Sequence, residues 1–393
     1  MHGKAADIKR FLLWTAVYFI GAVLAARYLR SADGTALFWP SAGVGYVAVV
    51  RYGLRWTAVV ALGTLLYLLL AKVSTTYLLY AIAGKTAATA IAAWYVLRGR
   101  TLHLRIEDGM RLLGGGVLLS VLSATFGVFG LLQADMLKPE AIPQAFTRWV
   151  LGDILGLAVV APGLLLLTTT RAAGHQLSPR YEASTLRERM FWLALLATSL
   201  VAIYSLGGRG SLYVLGLISV PLVLLLWSSL RFSPVWTAVS TGLTVIYFTV
   251  ATGKGLGSFT APTTLVETAV LLLLLCLVAL IPVMMALAGL EQRTTSYALY
   301  QRATRDTLTG LLNRTAFEEE ARRRLSSSST PATLLYIDLD NLKIINDSTS
   351  HVAGDDMIHA IAGAIGAAVG EDAVLARTGG DEFALLVPRA EAG

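Results

Sequence analysis

The sequence predicts a multi-span α-helical membrane domain followed by an α/β domain, and its composition supports this in two ways. Hydrophobic residues make up 55% of the 393 residues and charged residues only 15%, whereas soluble globular chains carry about 25% charge. Long apolar runs fill residues 11–290, while Arg, Asp and Glu are concentrated in residues 291–393. We therefore predict a polytopic membrane domain at residues 1–290, a linker at 291–305 and a soluble domain at 306–393.

Ten apolar segments are long enough, or nearly so, to cross a bilayer, which requires about 20 residues. They are residues 11–29, 36–52, 56–71, 76–97, 110–133, 146–167, 191–206, 211–230, 235–251 and 265–290. The second, third and seventh segments are short, so eight spans is the alternative count. No cleavable signal peptide stands out, because the first segment is itself long enough to span.

The basic residues indicate the orientation in the membrane. With the N-terminus in the cytoplasm, the inner loops carry fourteen Lys and Arg residues and the outer loops carry six. This is a positive-inside distribution, and an even number of spans returns the C-terminus to the cytoplasm. Because the net charge of +7 comes largely from these loops, we predict contact with membrane lipid and no nucleic-acid partner. The single cysteine, Cys276, excludes a disulfide within one chain.

Ionisable residues inside the predicted spans are costly in lipid and are therefore functional or paired. They are Lys85 in the fourth span, Arg148 and Asp153 in the sixth and Glu267 in the tenth. For Lys85 and Asp153, a structural pair and a sensing site both stay open, whereas Arg148 and Glu267 are expected to be interfacial or structural. Arg148 and Asp153 are five residues apart, which is not the spacing of three or four that favours pairing within a helix.

Two segments of the membrane part resemble a known family. Residues 38–43 read Phe-Trp-Pro-Ser-Ala-Gly, and residues 148–156 read Arg-Trp-Val-Leu-Gly-Asp-Ile-Leu-Gly, with Ala161 and Pro162 following. They resemble the MASE-type membrane-associated sensor domain, a multi-span module placed ahead of cyclic di-GMP or kinase output domains. The resemblance implies an unknown signal ligand. Pro and Gly near span ends free backbone groups, which is tolerated where protein or water surrounds them, and such places can bind a ligand.

The polar residues 291–305 predict a helical signalling linker. Tyr297 and Tyr300 are three residues apart, and Leu290, Tyr297 and Thr304 repeat at intervals of seven. This spacing fits a helix that continues the last span and pairs with the same helix of a second copy. One or two heptads are too few to decide this, so the pairing is a hypothesis.

After residue 305 the pattern alternates between helices and strands. We predict helices at residues 315–325 and 357–369, a strand at 333–339 and a β-hairpin formed by 373–377 and 382–387. The hairpin turn contains Gly379 and Gly380, which can supply the positive φ values of a tight turn and let a ligand approach the backbone.

Two carboxylates are expected to meet at one edge of this α/β domain. Asp338 ends the first strand and Asp381 lies in the hairpin turn. Strand ends in an α/β sheet converge on a ligand crevice, and two carboxylates there require a cation. Oxygen ligands together with phosphates are how proteins bind Mg²⁺, so the sequence predicts a metal-dependent nucleotide site.

Four ordered motifs carry a second resemblance. They are Asp-Thr-Leu-Thr-Gly-Leu-Leu-Asn-Arg at residues 306–314, Ile-Asp-Leu-Asp-Asn-Leu-Lys-Ile-Ile-Asn-Asp at 337–347, His351 with Gly354-Asp355, and Gly-Gly-Asp-Glu-Phe at 379–383. They resemble the GGDEF family of diguanylate cyclases, which condense two GTP into cyclic di-GMP and pyrophosphate. The resemblance implies a nucleotide-cyclase-like fold with an antiparallel hairpin in a central sheet, a homodimer, and a location in the bacterial inner membrane.

The GGDEF resemblance also implies a metal site and catalytic groups. Asp338, Asp381 and the Leu339 carbonyl would bind Mg²⁺, two ions per active site, with Mn²⁺ as an alternative. Glu382 would lie near the ribose 3′-OH and assist its deprotonation. Lys343 would neutralise the phosphates of GTP.

The implied substrate-binding residues are Asn341, Leu342, Asn346, Asp355, Gly379 and Gly380. The backbone N–H groups of Asn341 and Leu342 would receive phosphates. Asn346 and Asp355 would bind the guanine edge, and Asp355 would select GTP over ATP because the wrong base leaves a polar group unpaired.

The sequence departs from the GGDEF pattern in three places. Ser350 replaces the family's glycine before the histidine, so we expect an altered turn, since a non-Gly residue at positive φ is unusual. Gly370 and Ala373 replace the R-x-x-D motif of product inhibition, so we predict no feedback binding of cyclic di-GMP there. The sequence stops at Gly393, and roughly half of the domain is expected to be missing, which would leave a small core. A following EAL phosphodiesterase domain stays open.

The alternative to the enzyme is a non-catalytic membrane receptor with a degenerate or truncated GTP-binding module. The intact Asp381 and Glu382 favour the enzyme. A transporter with a regulatory tail is disfavoured, because the span pattern contains no clear inverted repeat.

Overall fold

The computed structural model describes residues 2–29, 36–98, 106–170, 184–206, 212–327, 331–370 and 372–388. Its contacts divide the chain into two units, Met1–Gln292 and Arg293–Gly393. Six of the basic loop residues counted in the orientation argument lie outside the described residues: Arg30, Arg100, Arg105, Arg171, Arg180 and Arg209.

The first unit is helical, and each of the ten predicted apolar segments forms one helix. The helices are α1 (His2–Tyr28), α2 (Pro40–Tyr52), α3 (Thr57–Leu70), α4 (Thr75–Leu97), α5 (Ile106–Gln133), α6 (Ile142–Thr170), α7 (Leu186–Leu206), α8 (Leu212–Arg231), α9 (Pro234–Gly253) and α10 (Leu265–Thr304). Helix α10 includes most of the predicted linker, which is therefore helical as far as Thr304.

Five of the described helical stretches are long and apolar enough to cross a membrane. They are Ala5–Tyr28, Glu107–Gln133, Pro139–Thr168, Pro234–Gly253 and Leu265–Thr304. Two shorter apolar helices, Leu54–Leu70 and Ile218–Arg231, fall below that length. The count of ten membrane crossings, or eight, stays a prediction.

The two segments that resemble the sensor family lie against each other where α2 meets α6. The Trp39 N–H donates to the Gly152 carbonyl at 3.2 Å. A Cβ atom on Gly43 would lie 2.7 Å from the Gly156 carbonyl oxygen, and one on Gly156 would overlap the Trp39 carbonyl. Glycine at these two positions lets the backbones approach closely, as small residues do between membrane helices.

Helix α6 connects the apolar cores of the first unit. Its Leu157 belongs to a core built with α1–α5, and its Leu155 to a core built with α7–α10, the end of α1 and the segment before α2. Its Leu166 packs with Val283 and Leu287 of α10 in a third, smaller core. Pro162 lies inside α6, between these contacts.

Ionisable residues of the predicted spans take two different roles. Lys85 Nζ of α4 lies 3.9 Å from Asp153 Oδ2 of α6, so a partner of Asp153 comes from another helix. Glu267 accepts hydrogen bonds from the N–H groups of Thr263 and Thr264 at 2.7 and 3.3 Å, while the Thr264 hydroxyl accepts from the Glu267 N–H. This is a capping box at the start of α10, so the role of Glu267 is structural.

The described residues of the second unit form an α/β fold, as predicted. After α10 come α11 (Arg314–Ser327), β1 (Ala332–Asp338), α12 (Leu342–Ser348), α13 (His351–Ala368), β2 (Val374–Arg377) and β3 (Glu382–Pro388). The strands form one antiparallel sheet in the order β1-β3-β2. This arrangement confirms the hairpin and its place in a central sheet.

Strand β3 is the centre of this unit because it packs on both of its faces. Ala384 and Leu386 belong to a core with Phe317 of α11. Phe383, which is fully buried, belongs to a second core with Ile358 of α13. The alternation of side chains along the strand accounts for this division.

The hairpin turn differs from its prediction. Neither Gly379 nor Gly380 has φ in the left-handed region, and among the described glycines only Gly53, Gly255, Gly257 and Gly310 do. The prediction of positive φ was wrong because the connection is longer than a two-residue turn. The Thr378 N–H donates to the Glu382 carbonyl at 2.9 Å, so Thr378 and Glu382 close a loop that is wide enough for ordinary backbone angles.

Helices α12 and α13 also differ from the prediction. Helix α13 begins at His351, ahead of the predicted start at residue 357, because the Ser350 hydroxyl accepts from the Ala353 N–H at 3.1 Å and caps it. Ser350 has φ of −177°, which is extended backbone, so serine is not at a positive φ here. The segment expected only as a phosphate-binding turn continues into α12, whose N-cap Asn341 has φ of 66°, a value that asparagine tolerates.

The close contact between α2 and α6 can be tested with Gly156→Ala. The added methyl group overlaps the Trp39 carbonyl, so we expect a loss of about 1–3 kcal/mol in stability, despite the better helix propensity of alanine. Thermal unfolding of the full chain in detergent measures this. The control is Gly163→Ala on the same helix, whose new methyl group would be 3.8 Å from Ala238 and should not destabilise. Equal unfolding temperatures for the two variants would contradict the close contact.

Candidate active site

The pairing of β1 with β3 brings the predicted acidic residues to one edge of the sheet. Asp338 and Glu382 are directly opposite in the strand register. The next residue of the first strand, Leu339, donates its N–H to the Asp381 carbonyl at 3.1 Å. The three acidic residues proposed from the motifs are therefore neighbours, although 43 positions separate Asp338 from Asp381 in the sequence.

The loop before β3 is shaped around the side chain of Glu382. A Cβ atom on Gly379 would lie 2.9 Å from Glu382 Oε2, so glycine leaves the space that this carboxylate occupies. Gly380 has open space around its Cα: apart from its two chain neighbours, no heavy atom of the described residues lies within 4 Å of the position of a Cβ. The first glycine makes room for an acidic side chain, and the second leaves the backbone accessible.

Arg377 connects this loop to the opening motif, and the sequence analysis did not identify it as a site residue. Its Nη2 donates to the Gly380 carbonyl at 2.7 Å, and its Nη1 donates to Asp306 Oδ1 at 3.1 Å. The Arg377 and Asp306 side chains are only 12% and 21% exposed, so solvent screens their attraction less than at the surface. The guanidinium thus holds the turn before Asp381 in a fixed position.

Asp306 also organises its own loop. Its Oδ1 accepts from the N–H and the hydroxyl of Thr309 at 2.8 and 2.7 Å. Burial acts to raise the pKa of Asp306, but the hydrogen bonds from Thr309 and Arg377 outweigh it, so the pKa lies below its usual value. Gly310, with φ of 71°, completes the turn, and the following Leu312 carbonyl accepts from the Arg377 N–H at 2.9 Å.

The predicted phosphate-binding residues lie together at the start of α12. Asn341 has a left-handed conformation, and its side chain makes no capping hydrogen bond to the helix. Helix N–H groups without a cap are oriented to receive an anion. Lys343 is exposed, whereas Leu342 is 8% exposed and packs into the core with Phe383.

The predicted guanine-binding residues meet where α12 packs on α13. A Cβ on Gly354 would overlap Asn346 Oδ1, so the Asn346 amide lies directly against Gly354. This oxygen is buried and has no hydrogen-bond partner within the described part of the chain. Asp355 follows Gly354 on the same helix and is exposed. An unsatisfied buried acceptor beside an exposed carboxylate fits a ligand that supplies N–H donors.

The acidic edge also fits a metal that is held jointly by protein and substrate. Among the described residues, no group of three or more His, Cys, Asp or Glu side chains could hold a metal ion. Mg²⁺ commonly takes only one or two carboxylates from a protein, while substrate phosphates and waters complete its coordination. The donor set of Asp338, Asp381 and Leu339 therefore suits such a metal.

Two family models match the chain. The model described as MASE1 matches residues 10–294, and the model described as "Diguanylate cyclase, GGDEF domain" matches residues 303–393. A similar curated protein is "Probable diguanylate cyclase DgcF" from Escherichia coli O157:H7, 27% identical over 97% of this chain and 78% of the relative.

Other similar proteins match the C-terminal part. "Cyclic di-GMP phosphodiesterase PdeB" from Shewanella oneidensis is 42% identical over 97 residues, which are 25% of this chain and 11% of that protein. The solved structure of the coiled coil and GGDEF domain of DgcB from Caulobacter crescentus, in complex with c-di-GMP, is 35% identical with a TM-score of 0.25. The match covers 27% of this chain and 57% of that one.

The contact between Arg377 and Asp306 predicts a pH dependence of local stability. The pKa of Asp306 is lowered in the folded unit. The contribution of its carboxylate to the free energy of unfolding is therefore present above about pH 4, the pKa of an unfolded aspartate, and is lost as the pH falls through the lowered pKa. Asp306→Asn should remove about 1–2 kcal/mol at neutral pH and weaken the acid dependence. Hydrogen exchange of the β2 and β3 amides in the full chain measures both effects.

A matched control for this experiment is Glu318→Gln. It breaks an exposed ion pair with Arg314, whose side chains are 48% and 73% exposed, so it should change exchange very little. If the β2 and β3 amides exchange as slowly in Asp306→Asn as in the control, the hydrogen bonds of Arg377 to Asp306 and Gly380 do not hold the turn.

Proposed function

Because the chain belongs to the MASE1 family and carries a GGDEF domain, we propose that it is a membrane-bound enzyme that condenses two GTP into cyclic di-GMP and pyrophosphate. The family models confirm both resemblances found in the sequence. MASE1 is a membrane-associated domain, and the apolar helices of the first unit agree with this. The proposal includes the bacterial inner membrane, cytoplasmic termini and control of the enzyme by the membrane domain.

The observation that carries the proposal is the register of β1 and β3. It sets Asp338 opposite Glu382 and bonds Leu339 to the Asp381 backbone, so the acidic groups share one edge. GGDEF domains are in general metal-dependent nucleotide cyclases. The proposed metal is Mg²⁺, two ions per active site, with Mn²⁺ as the alternative, held by Asp338, Asp381 and the Leu339 carbonyl. The metal would neutralise charge on the phosphate that is transferred.

The residues around this edge would hold and orient GTP. The uncapped N–H groups at Asn341 and Leu342 would bind phosphate oxygens, and the exposed Lys343 ammonium would add positive charge. The open backbone at Gly380, beside Gly379, would allow the nucleotide to approach the turn.

The base would be read where α12 meets α13. Guanine offers N–H donors on the edge that would face Asn346 and Asp355. Asn346 Oδ1, buried without a partner, gains a hydrogen bond from such a donor. Adenine lacks this arrangement and would leave the acceptors unpaired, which is the physical basis of selection for GTP.

The chemical step requires two copies of the domain. Glu382 would accept the proton of one ribose 3′-OH, whose oxygen then attacks the α-phosphorus of the GTP held by the other copy. The bond from this phosphorus to the bridging oxygen breaks and pyrophosphate leaves. A second transfer in the opposite direction closes the ring. Since each copy supplies one GTP, the proposed enzyme acts as a homodimer.

The role of Asp381 is tested by Asp381→Asn in the full chain, in membranes, with GTP and Mg²⁺. We expect cyclic di-GMP formation to fall by about a hundredfold or more, because the carboxylate would hold the metal that stabilises the transferred phosphate. Removing Mg²⁺ with a chelator should have a similar effect. The control Asp356→Asn replaces an exposed aspartate of α13 outside the proposed site and should keep its activity.

The outcomes also address the non-catalytic alternative. GTP binding without cyclic di-GMP formation by the unaltered chain would support a receptor instead of an enzyme. Equal turnover by Asp381→Asn and the unaltered chain would contradict the site assignment.

A second prediction concerns the choice of base. Asp355→Asn should weaken GTP binding by about ten- to a hundredfold and leave the weak binding of ATP nearly unchanged, because the lost acceptor contacts only guanine. Competition between the two nucleotides on the full chain measures the ratio. Asp356→Asn again serves as the control, and an unchanged ratio in Asp355→Asn would rule out guanine recognition by this residue.

A further inference from the structure

The membrane unit contains a cavity of about 440 Å³ that has no part in the nucleotide chemistry. Its described lining comes from helices α1, α3, α4, α5 and α6 and from the segment just before α2. The volume lies within the range of about 300–1,000 Å³ that small-molecule sites occupy. Most of the wall is apolar or aromatic, and it includes Tyr67, Tyr77 and Leu131.

Two lining groups of opposite charge, Lys85 and Asp153, form a long ion pair that is not a hydrogen bond. Asp153 is 2% exposed, and its Oδ2 has no hydrogen-bond partner among the described residues. Lys85 Nζ is 3.9 Å from this oxygen, which is too far for a hydrogen bond. Arg148, a second cation, also lines the cavity. A buried carboxylate oxygen without a donor is costly, so a ligand that supplies one gains the difference.

Aromatic rings hold the Lys85 ammonium in place. Its Nζ lies 5.4 Å from the ring centroids of both Trp39 and Trp149, within the range of cation–π attraction. The Trp149 N–H donates to Ser123 at 3.2 Å, which fixes that ring. The indole N–H of Trp39 (Nε1), unlike its backbone N–H, is buried and has no partner in the described part of the chain. The ammonium and the Trp39 indole therefore offer donors to an anionic group.

These groups define the ligand by its chemistry. It needs an N–H donor for Asp153 and, close to it, an anionic acceptor for Lys85 and Trp39. An amine alone leaves the Lys85 and Trp39 donors unused, and a carboxylate alone leaves Asp153 unsatisfied. A zwitterion with an ammonium and a carboxylate on one carbon supplies the donor for Asp153 and the acceptor for Lys85 and Trp39. The aromatic wall accepts an apolar side chain.

We propose that this cavity binds an apolar α-amino acid, with its ammonium on Asp153 and its carboxylate on Lys85 and Trp39. The binding itself is independent of the proposed enzyme activity. That the amino acid is the signal of the sensor domain is a further statement, which rests on the proposed function. Helix α6 contributes Asp153 and Trp149 to the cavity and also reaches α10 through Leu166, so occupancy has a physical route to the last helix of the unit.

The experiment measures binding to the purified full chain in lipid nanodiscs. Isothermal titration calorimetry is run separately with L-leucine, L-phenylalanine and L-tryptophan, and tryptophan fluorescence is followed with the first two. For each amino acid, the matching amine without the carboxylate and the matching acid without the ammonium are titrated as well. At least one amino acid should bind about tenfold or more tightly than both of its counterparts, since each of these loses a charged hydrogen bond.

Three variants and a control identify the site. Asp153→Asn should weaken binding of that amino acid by about ten- to a hundredfold, and Lys85→Met should do the same. The double variant Lys85→Met with Asp153→Asn removes both charges together, which preserves neutrality if a single variant fails to fold. Glu188→Gln is the control, because Glu188 forms an ion pair with Arg231 at 2.6 Å elsewhere in the membrane unit. It should bind as the unaltered chain does.

The outcomes separate this proposal from the enzyme proposal. If no amino acid of the three binds, or if the amine or the acid binds as tightly as its parent, the cavity proposal is overturned. It is also overturned if the double variant folds and binds normally. If the chain binds an amino acid but forms no cyclic di-GMP, the cavity proposal is supported and the enzyme proposal is contradicted. If it forms cyclic di-GMP but binds no amino acid, the enzyme proposal is supported and the cavity proposal is contradicted.

Discussion

The antiparallel hydrogen bonding between β1 and β3 is the interaction on which the candidate active site depends. It alone brings Asp338 to the turn that carries Asp381 and Glu382. The register is held by Phe383 and Ala384, which are both 0% exposed and face opposite sides of the sheet. A slip of one residue would exchange these faces and move Asp338 away from Glu382. The position of the carboxylates is therefore a result of apolar packing next to them.

A second constraint acts on the turn from the side of β2. Arg377 bonds the Gly380 carbonyl and Asp306 at the same time, so the opening motif and the glycine loop form one structure. The two motifs are separated by about 70 residues of sequence but share a single guanidinium. Motifs that look like independent signatures in the sequence thus depend on one another physically.

The sequence was sufficient where local patterns or complete motifs carry the information. The ten apolar segments, the strand ending at Asp338 and the hairpin around Asp381 all follow from runs of residues that are contiguous in the chain. Contacts between residues that are distant in the chain could not be predicted from the sequence. Arg377 is next to the turn in the sequence, but nothing near it indicates Asp306 as its partner. Likewise, nothing in the sequence indicates that Lys85 lies 3.9 Å from Asp153.

The local errors have a common cause, which is that one residue type serves several backbone states. Serine suits a helix cap as well as a turn, and Ser350 caps α13. Glycine suits positive φ, but it also suits a position where a neighbouring side chain takes the space of a Cβ, as the Glu382 carboxylate does at Gly379. Only the surrounding atoms distinguish these uses, and the single sequence does not contain them.

The proline inside α6 has a mechanical consequence. Pro162 cannot donate a hydrogen bond to the carbonyl of Ala158, so the helix lacks one backbone hydrogen bond about 14 Å from Asp153. Helices bend at such points with less resistance than elsewhere. The part of α6 that follows Pro162 and contacts α10 through Leu166 can therefore tilt relative to the part that precedes it. Such a tilt changes the packing of Leu166 against Val283 and Leu287 without breaking another backbone hydrogen bond of the helix.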